Sequence, residues 1–222
     1  MNKQAPPPST KEIVARINTI IPSSFVDGPG HRFVVFFQGC NLDCSYCHNP
    51  ETKRDVPFTA FTVDELLDSV VMELPFIDGV TFSGGECTLQ PAFIEAFSKS
   101  LAQKSGSSGS KVKLILDTNG CFNQEVYSQL KNCIQGFILD IKAISATVHQ
   151  KLTGVHNQLI LDNALQMARD GLLVEVRTVL VPGDNDTPVE LNSLRKFYQQ
   201  LKDYNQGNEI KFRLIESSNM ER

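Results

Sequence analysis

Three of the six cysteines in this 222-residue chain, Cys40, Cys44 and Cys47, fall within eight residues at C-x3-C-x2-C spacing. They follow directly on the apolar run 33–37 and the turn residue Gly39. A strand that ends in glycine and then presents three thiols is building a site rather than a core. Thiolates are soft ligands, and they hold iron–sulfur clusters or zinc at tight spacings of this kind. An electron carrier caps all four irons of a [4Fe–4S] cluster with cysteine. Three thiols leave one iron open, as a catalytic zinc keeps one position free for substrate. On the cysteines alone, a structural Cys3His zinc site with His48 as fourth ligand stays open beside the cluster. A disulfide framework does not suit a chain of this size with an odd number of clustered thiols. Cys87, Cys121 and Cys133 are scattered and read as plain buried or half-buried residues.

Five further constellations stand out. In Ser83-Gly84-Gly85-Glu86 two glycines let the backbone approach a ligand and a carboxylate stands beside them, although the same letters also make an ordinary strand-to-helix turn. Asp117-Thr118-Asn119-Gly120 and Asp140-Ile141-Lys142 end apolar runs, where an Asp is often only a helix cap. Arg177 interrupts the apolar stretch 174–181 and needs either a buried ion pair or an anionic ligand. Asp27-Gly28-Pro29-Gly30 is a dense turn signal.

The elements that must carry these residues alternate. The spacing predicts a lead-in strand over 11–21 and strands over 32–38, 79–82, 112–116, 137–139, 173–181 and 209–215. Between them it predicts helices over 62–74, with Thr62 as N-cap, and over 91–102, 124–131, 159–170 and 191–202. The Gly/Ser-rich stretch 105–110 reads as a flexible surface loop. Six strands alternating with helices argue for a parallel sheet with right-handed crossovers, open or closed into a barrel. The polar constellations sit at or near the C-terminal ends of different strands, where barrel enzymes build their sites. The α/β reading is therefore a partial (β/α)6 barrel of the TIM type.

Net charge is −4 with acids and bases interleaved, and 41% of residues are hydrophobic. That balance points to neither nucleic acid nor a membrane surface as partner, and no apolar run approaches a membrane span. Residues 1–12, with Pro6-Pro7-Pro8, read as a disordered leader, and 13–222 as one domain. Free cysteines without a secretory signal point to the cytoplasm.

The cysteine spacing with the aromatic Tyr46 before Cys47 resembles the radical S-adenosylmethionine (SAM) enzymes. Val26-Asp27-Gly28-Pro29-Gly30, Phe36-Phe37-Gln38-Gly39-Cys40 and Cys47-His48-Asn49-Pro50 narrow the likeness to the activases of glycyl-radical enzymes, those of pyruvate formate-lyase type above all. The resemblance implies a [4Fe–4S] cluster on Cys40, Cys44 and Cys47 whose open iron binds SAM. Reductive cleavage of SAM then gives a 5′-deoxyadenosyl radical that takes a hydrogen from a glycine of a partner enzyme. The resemblance places Tyr46, Cys47, His48, Asn49, Gly84, Gly85, Glu86, Asp117, Asn119, Asp140, Lys142 and Arg177 around SAM. It also implies a monovalent cation on Asp117, Thr118 and Asp140, and it sets Asp27 and Gly28 at the mouth, near the partner's glycine-bearing segment. A flavodoxin or ferredoxin is the implied electron donor, and a monomer the implied state.

Two departures accompany the likeness. The family usually carries a His-containing SAM-contact segment after the last strand, whereas this sequence stops at Ser217–Arg222. That implies a site closed differently, or a short form. Only 35 residues lie between Cys47 and Ser83, none of them cysteine, so the ferredoxin-like insert of many activases is not expected. The activase of anaerobic ribonucleotide reductase shares Asp-Gly-Pro-Gly and Cys-His-Asn but has less of the barrel. A non-catalytic zinc module is the alternative from another class.

Overall fold

The structure, a computed structural model, describes residues 12–53, 57–106, 112–205 and 208–217. All of the proposed leader except Glu12 lies outside the described residues, as do residues 107–110 of the Gly/Ser-rich stretch. In chain order the elements are β1 (Val14–Ser24), β2 (Arg32–Phe37), β3 (Thr59–Thr62), α1 (Val63–Glu73), β4 (Gly79–Gly84) and α2 (Pro91–Gly106). They continue with β5 (Lys113–Thr118), α3 (Gln124–Leu130), β6 (Gly136–Asp140), α4 (Ala146–Thr153) and α5 (Gln158–Arg169). The chain then forms β7 (Leu173–Leu180), α6 (Pro188–Tyr204) and β8 (Lys211–Glu216).

One sheet runs β3-β1-β2-β4-β5-β6-β7-β8. From β2 to β8 every neighbouring pair is parallel, which is the six-stranded unit expected. β1 adds on antiparallel, with β3 outside it. β3 and α4 escaped the sequence reading. β3 is only four residues, and α4 is polar, its ends marked by the Ser145 cap and by Gly154 at φ 85°. α2 also runs past residue 102, to Gly106.

Alternation along the strands separates two faces. Phe33, Val35, Phe37, Val80, Phe82, Leu114, Leu116, Phe137 and Leu139 belong to the main buried cluster, which the helices cover. Phe37 and Phe82 meet edge-on at 5.0 Å, and each such buried ring contributes about 2–3 kcal/mol. The intervening residues turn to the inner face: Thr81 and Ser83 on β4, Asp117 on β5, Asp140 on β6, and Glu175 and Arg177 on β7. Arg32, 1% exposed, donates from Nε to Thr81 Oγ1 at 3.0 Å and from Nη2 to the Lys113 carbonyl at 3.0 Å. Burial pulls its pKa down to about 10.

Gly79 makes room for that guanidinium. A Cβ there would lie 2.1 Å from Arg32 Nη1 and 2.3 Å from the Lys113 carbonyl. Gly79→Ala is expected to lower stability by about 2–3 kcal/mol, read from the urea midpoint. A midpoint equal to that of the native chain would mean Arg32 is not held there.

Candidate active site

The chain leaves β2 through Gln38 and Gly39 (φ 105°) and enters the cysteine loop. Backbone bonds fix that loop on three sides. Gly39 N donates to Thr52 O and Glu86 N to Gly39 O, each at 2.8 Å, while Asp43 N and Ser45 N donate to the Thr153 and Leu152 carbonyls at the end of α4, each at 3.0 Å. Gly85 is obligatory beside it, because a Cβ would stand 2.1 Å from the Gly39 carbonyl oxygen. Gly84, at φ 117°, would put a Cβ 2.2 Å from Phe37 N.

Cys40, Cys44 and Cys47 line one cleft together with Tyr46, His48, Asn49, Gly84, Gly85, Asp117, Thr118, Asn119, Asp140 and Lys142. Nearly every cofactor residue named from the sequence is therefore gathered at the C-terminal ends of the strands. Cys44 is buried; Cys40 and Cys47 are half-buried. Burial pushes the Cys40 thiol up to about 11 and raises that of Cys44 as well. Thiols of that kind stay protonated until a metal displaces the proton. Asn119 Nδ2 lies 3.8 Å from Cys40 Sγ, and Leu42 N lies 3.5 Å from it, so Cys40 sulfur already has two donors. Tyr46 hydroxyl is buried and has no hydrogen-bond partner among the described residues.

Among the described residues, no three His, Cys, Asp or Glu side chains converge on a position for a single metal ion. Structural zinc would need Cys40, Cys44, Cys47 and His48 to converge in that way. A cluster distributes its thiolates over separate irons, and three thiols around a glycine-floored cleft fit it.

Lys142 Nζ lies 3.0 Å from Asp140 Oδ2 and 5.8 Å from the Tyr46 ring centre. Burial is the largest single influence and would lower its pKa, but Asp140, Tyr46 and Cys44 together outweigh it and hold it well above the ordinary lysine value. Its backbone is fixed from behind, where Asn185 Nδ2 donates to the Lys142 carbonyl at 2.7 Å.

Four of the residues named from the sequence, Glu86, Arg177, Asp27 and Gly28, stand outside the cleft lining. Glu86 does not line the cleft. It is 1% exposed, and its carboxylate accepts from Thr88 N (3.1 Å), Thr88 Oγ1 (2.6 Å), Thr118 Oγ1 (2.7 Å) and Asn119 N (2.7 Å). It holds the exit of β5. Arg177 is not a lining residue either. Its Nε pairs with Glu175 Oε1 at 2.6 Å and its Nη1 with Asp117 Oδ2 at 3.4 Å, so its charge is met within the fold. Burial outweighs the attraction of Arg177 and pushes Asp117 up to about 7. The Asp27 loop lies lower on the inner face than the mouth: Thr81 Oγ1 donates to the Asp27 carbonyl at 2.8 Å, and Gly28 packs against Thr81, Ile138 and Arg32.

The sequence reading missed Ser83 as a separate contact, and with it Lys53, Glu175 and Arg213. Ser83 donates to Asp117 at 3.1 Å, and Arg213 pairs with Glu175 at 3.2 Å. The alternation of β7 was the available clue to Glu175, two residues from Arg177 on the same face. Cys87 is buried outside the cleft, with its sulfur 3.6 Å from the Asp117 carbonyl.

The model of the Radical SAM superfamily matches residues 34–192. The chain belongs to the radical SAM superfamily. It is an enzyme of that class. The pyruvate formate-lyase-activating enzyme of Staphylococcus aureus (strain USA300) is 38% identical over 187 residues, covering 79% of this chain and 72% of the relative. Among solved structures, native anSMEcpe with bound AdoMet superposes with a TM-score of 0.60 at 22% identity, covering 81% of this chain and 50% of that one. QueE from Escherichia coli gives a TM-score of 0.58 at 13% identity, covering 95% and 88%. At those identities the two structures speak for the fold, the partial barrel of radical SAM enzymes. Among the described residues no helix is long and apolar enough to cross a membrane.

Proposed function

We propose that this radical SAM enzyme is an activase that installs a glycyl radical on a partner of the pyruvate formate-lyase type. The observation that carries the reading is the cleft itself: Cys40, Cys44 and Cys47 around the Gly84-Gly85 floor, in a chain 38% identical to an activating enzyme of that name. In this reading the three cysteines hold a [4Fe–4S] cluster with one open iron. When bound, the cluster supplies the single electron for reductive cleavage of SAM, from which the hydrogen-abstracting radical comes.

The chain's own residues bind and orient. Lys142, charged beside Asp140, meets the SAM carboxylate, and the backbone at Gly84 and Gly85 offers carbonyls to its ammonium. Tyr46, His48 and Asn49 face the nucleoside half, where the unpartnered Tyr46 hydroxyl gains a partner. Asn119 fixes Cys40 sulfur, and Arg177 with Glu175 keeps Asp117 in place. The monovalent cation on Asp117, Thr118 and Asp140 belongs to the reading only through the family likeness, because here both carboxylates are matched by Arg177 and Lys142. Asp27 and Gly28 meet the partner's glycine-bearing segment within the inner face. We also read residues 13–222 as one radical SAM domain, monomeric and cytoplasmic, reduced by a flavodoxin or ferredoxin. The relative over 187 residues favours this activase over that of anaerobic ribonucleotide reductase.

The test is anaerobic purification with iron reconstitution, then dithionite and SAM, with 5′-deoxyadenosine as the product assayed. Iron, sulfide and 5′-deoxyadenosine are expected, followed by a glycyl-radical signal when pyruvate formate-lyase is added. A colourless protein that leaves SAM intact would sink the reading; 5′-deoxyadenosine without a radical on pyruvate formate-lyase would move it to another partner.

A further inference from the structure

A second cation, besides Lys142, lines the cysteine cleft among the described residues. Lys53 ends the short 3-10 turn Pro50–Lys53, and its side chain returns over the cysteine loop. Its Nζ donates to the Cys44 carbonyl at 3.0 Å and pairs with Asp43 Oδ1 at 2.7 Å. The two partners differ in character. The Asp43 side chain is 91% exposed and that of Lys53 19%, so the ion pair is screened by water, whereas the bond to Cys44 is partly buried.

The turn that carries Lys53 is itself fixed. Thr52, 1% exposed, donates from Oγ1 to the Asn49 carbonyl at 2.7 Å, and its own carbonyl accepts from Gly39 N at 2.8 Å. One side of that turn is therefore tied to the residue before Cys40 and the other to the residues after Cys47. A lysine held in this way keeps its charge at a set distance from the sulfurs and does not sweep through solvent. Lys142 is matched by Asp140 inside the cleft, while the counter-ion of Lys53 faces outward. Lys53 thus sets an ammonium against the Cys44 backbone while water screens its pairing with Asp43.

We propose that Lys53 is a positioning residue that sets the reduction potential of the cluster held by Cys40, Cys44 and Cys47, its ammonium favouring the form with one more electron. The inference rests on the cluster reading above. The step is a one-electron gain from dithionite or a protein donor; no bond forms or breaks at Lys53, and its three protons stay in place. Charge near a cluster and hydrogen bonds around its ligands are the means by which a protein tunes such a potential.

The experiment is an EPR-monitored redox titration of reconstituted protein, comparing the native chain with Lys53→Gln, Lys53→Arg and Asp43→Asn at equal iron content. Lys53→Gln is expected to make reduction about tenfold less favourable, a shift of ~59 mV to more negative potential for one electron. Lys53→Arg should restore the native value, and Asp43→Asn, which strips the ammonium of its counter-ion, should shift the potential the other way. An unchanged potential in Lys53→Gln overturns the proposal. So does equal loss of iron in Lys53→Gln and Lys53→Arg, which would make the residue a clasp for the loop. A native chain that binds no cluster defeats the underlying cluster reading before the variants are compared.

Discussion

Replacing Cys40, Cys44 or Cys47 by alanine is expected to give folded, colourless protein that makes no 5′-deoxyadenosine. Each thiol has its own place around the cleft, so none of the three can stand in for another. Loss of a ligand's hydrogen-bond partner typically lowers metal affinity or activity by 10–100-fold, and loss of the ligand itself should exceed about 100-fold. The fold should survive, because backbone bonds hold the loop. Asp43 N and Ser45 N are bound to α4, Gly39 N to Thr52 O and Glu86 N to Gly39 O, and no cysteine side chain takes part in those bonds. A stability change of about 1 kcal/mol is expected from a cysteine packed as a small apolar group. Circular dichroism checks the fold, and iron content with the 5′-deoxyadenosine assay checks the site. A single-cysteine variant that still cleaves SAM at a native rate would refute the assignment of that thiol as a ligand.

The largest stability effect is expected at Glu86. Its carboxylate serves four donors in a site 1% exposed, three on Oε1 and Asn119 N alone on Oε2. Glu86→Ala leaves two backbone amides and two hydroxyls without their acceptor. The hydroxyls can rotate toward other acceptors, but the amides cannot. A loss of about 3–4 kcal/mol is expected in urea unfolding. Glu86→Gln keeps the three bonds to one oxygen and sets an NH2 group against Asn119 N, a donor facing a donor. About 1–2 kcal/mol is expected there. Both changes loosen Asn119 from Cys40, so iron retention should fall in the order native, Gln, Ala. Equal unfolding midpoints for native and Glu86→Ala protein would show that the four contacts contribute nothing.

Much of this architecture was legible in the order of residue types. Apolar runs of strand length ending in polar constellations foretold six parallel strands and the end of the sheet at which the site would stand. The cysteine spacing pointed to the loop that lines the cleft, and Gly84 and Gly85 announced a backbone approach that the near-contact with the Gly39 carbonyl now explains. What could not be read was the direction of charged side chains. Glu86 looked like a ligand-facing carboxylate because its letters adjoin two glycines. Its burial against Thr118 and Asn119 depends on residues 32 and 33 positions further along, which no local pattern encodes. Arg177 posed the same problem: its partners Glu175 and Asp117 become visible only once β5 and β7 are placed in one sheet. Lys53 was hidden for a simpler reason. An isolated lysine after the last cysteine of a loop carries no periodicity and no motif.

The stitching of the cysteine loop has a consequence for how the site is filled. A loop that is disordered until metal arrives must lose chain entropy at that moment, roughly 1–2 kcal/mol for each residue fixed, and metal affinity is lowered by that amount. Here the amides of Gly39, Asp43 and Ser45 are bound to backbone carbonyls of neighbouring elements. Those bonds belong to the fold itself, so in the cluster reading loading the site would require less chain ordering and would turn more on the exchange of thiol protons for metal.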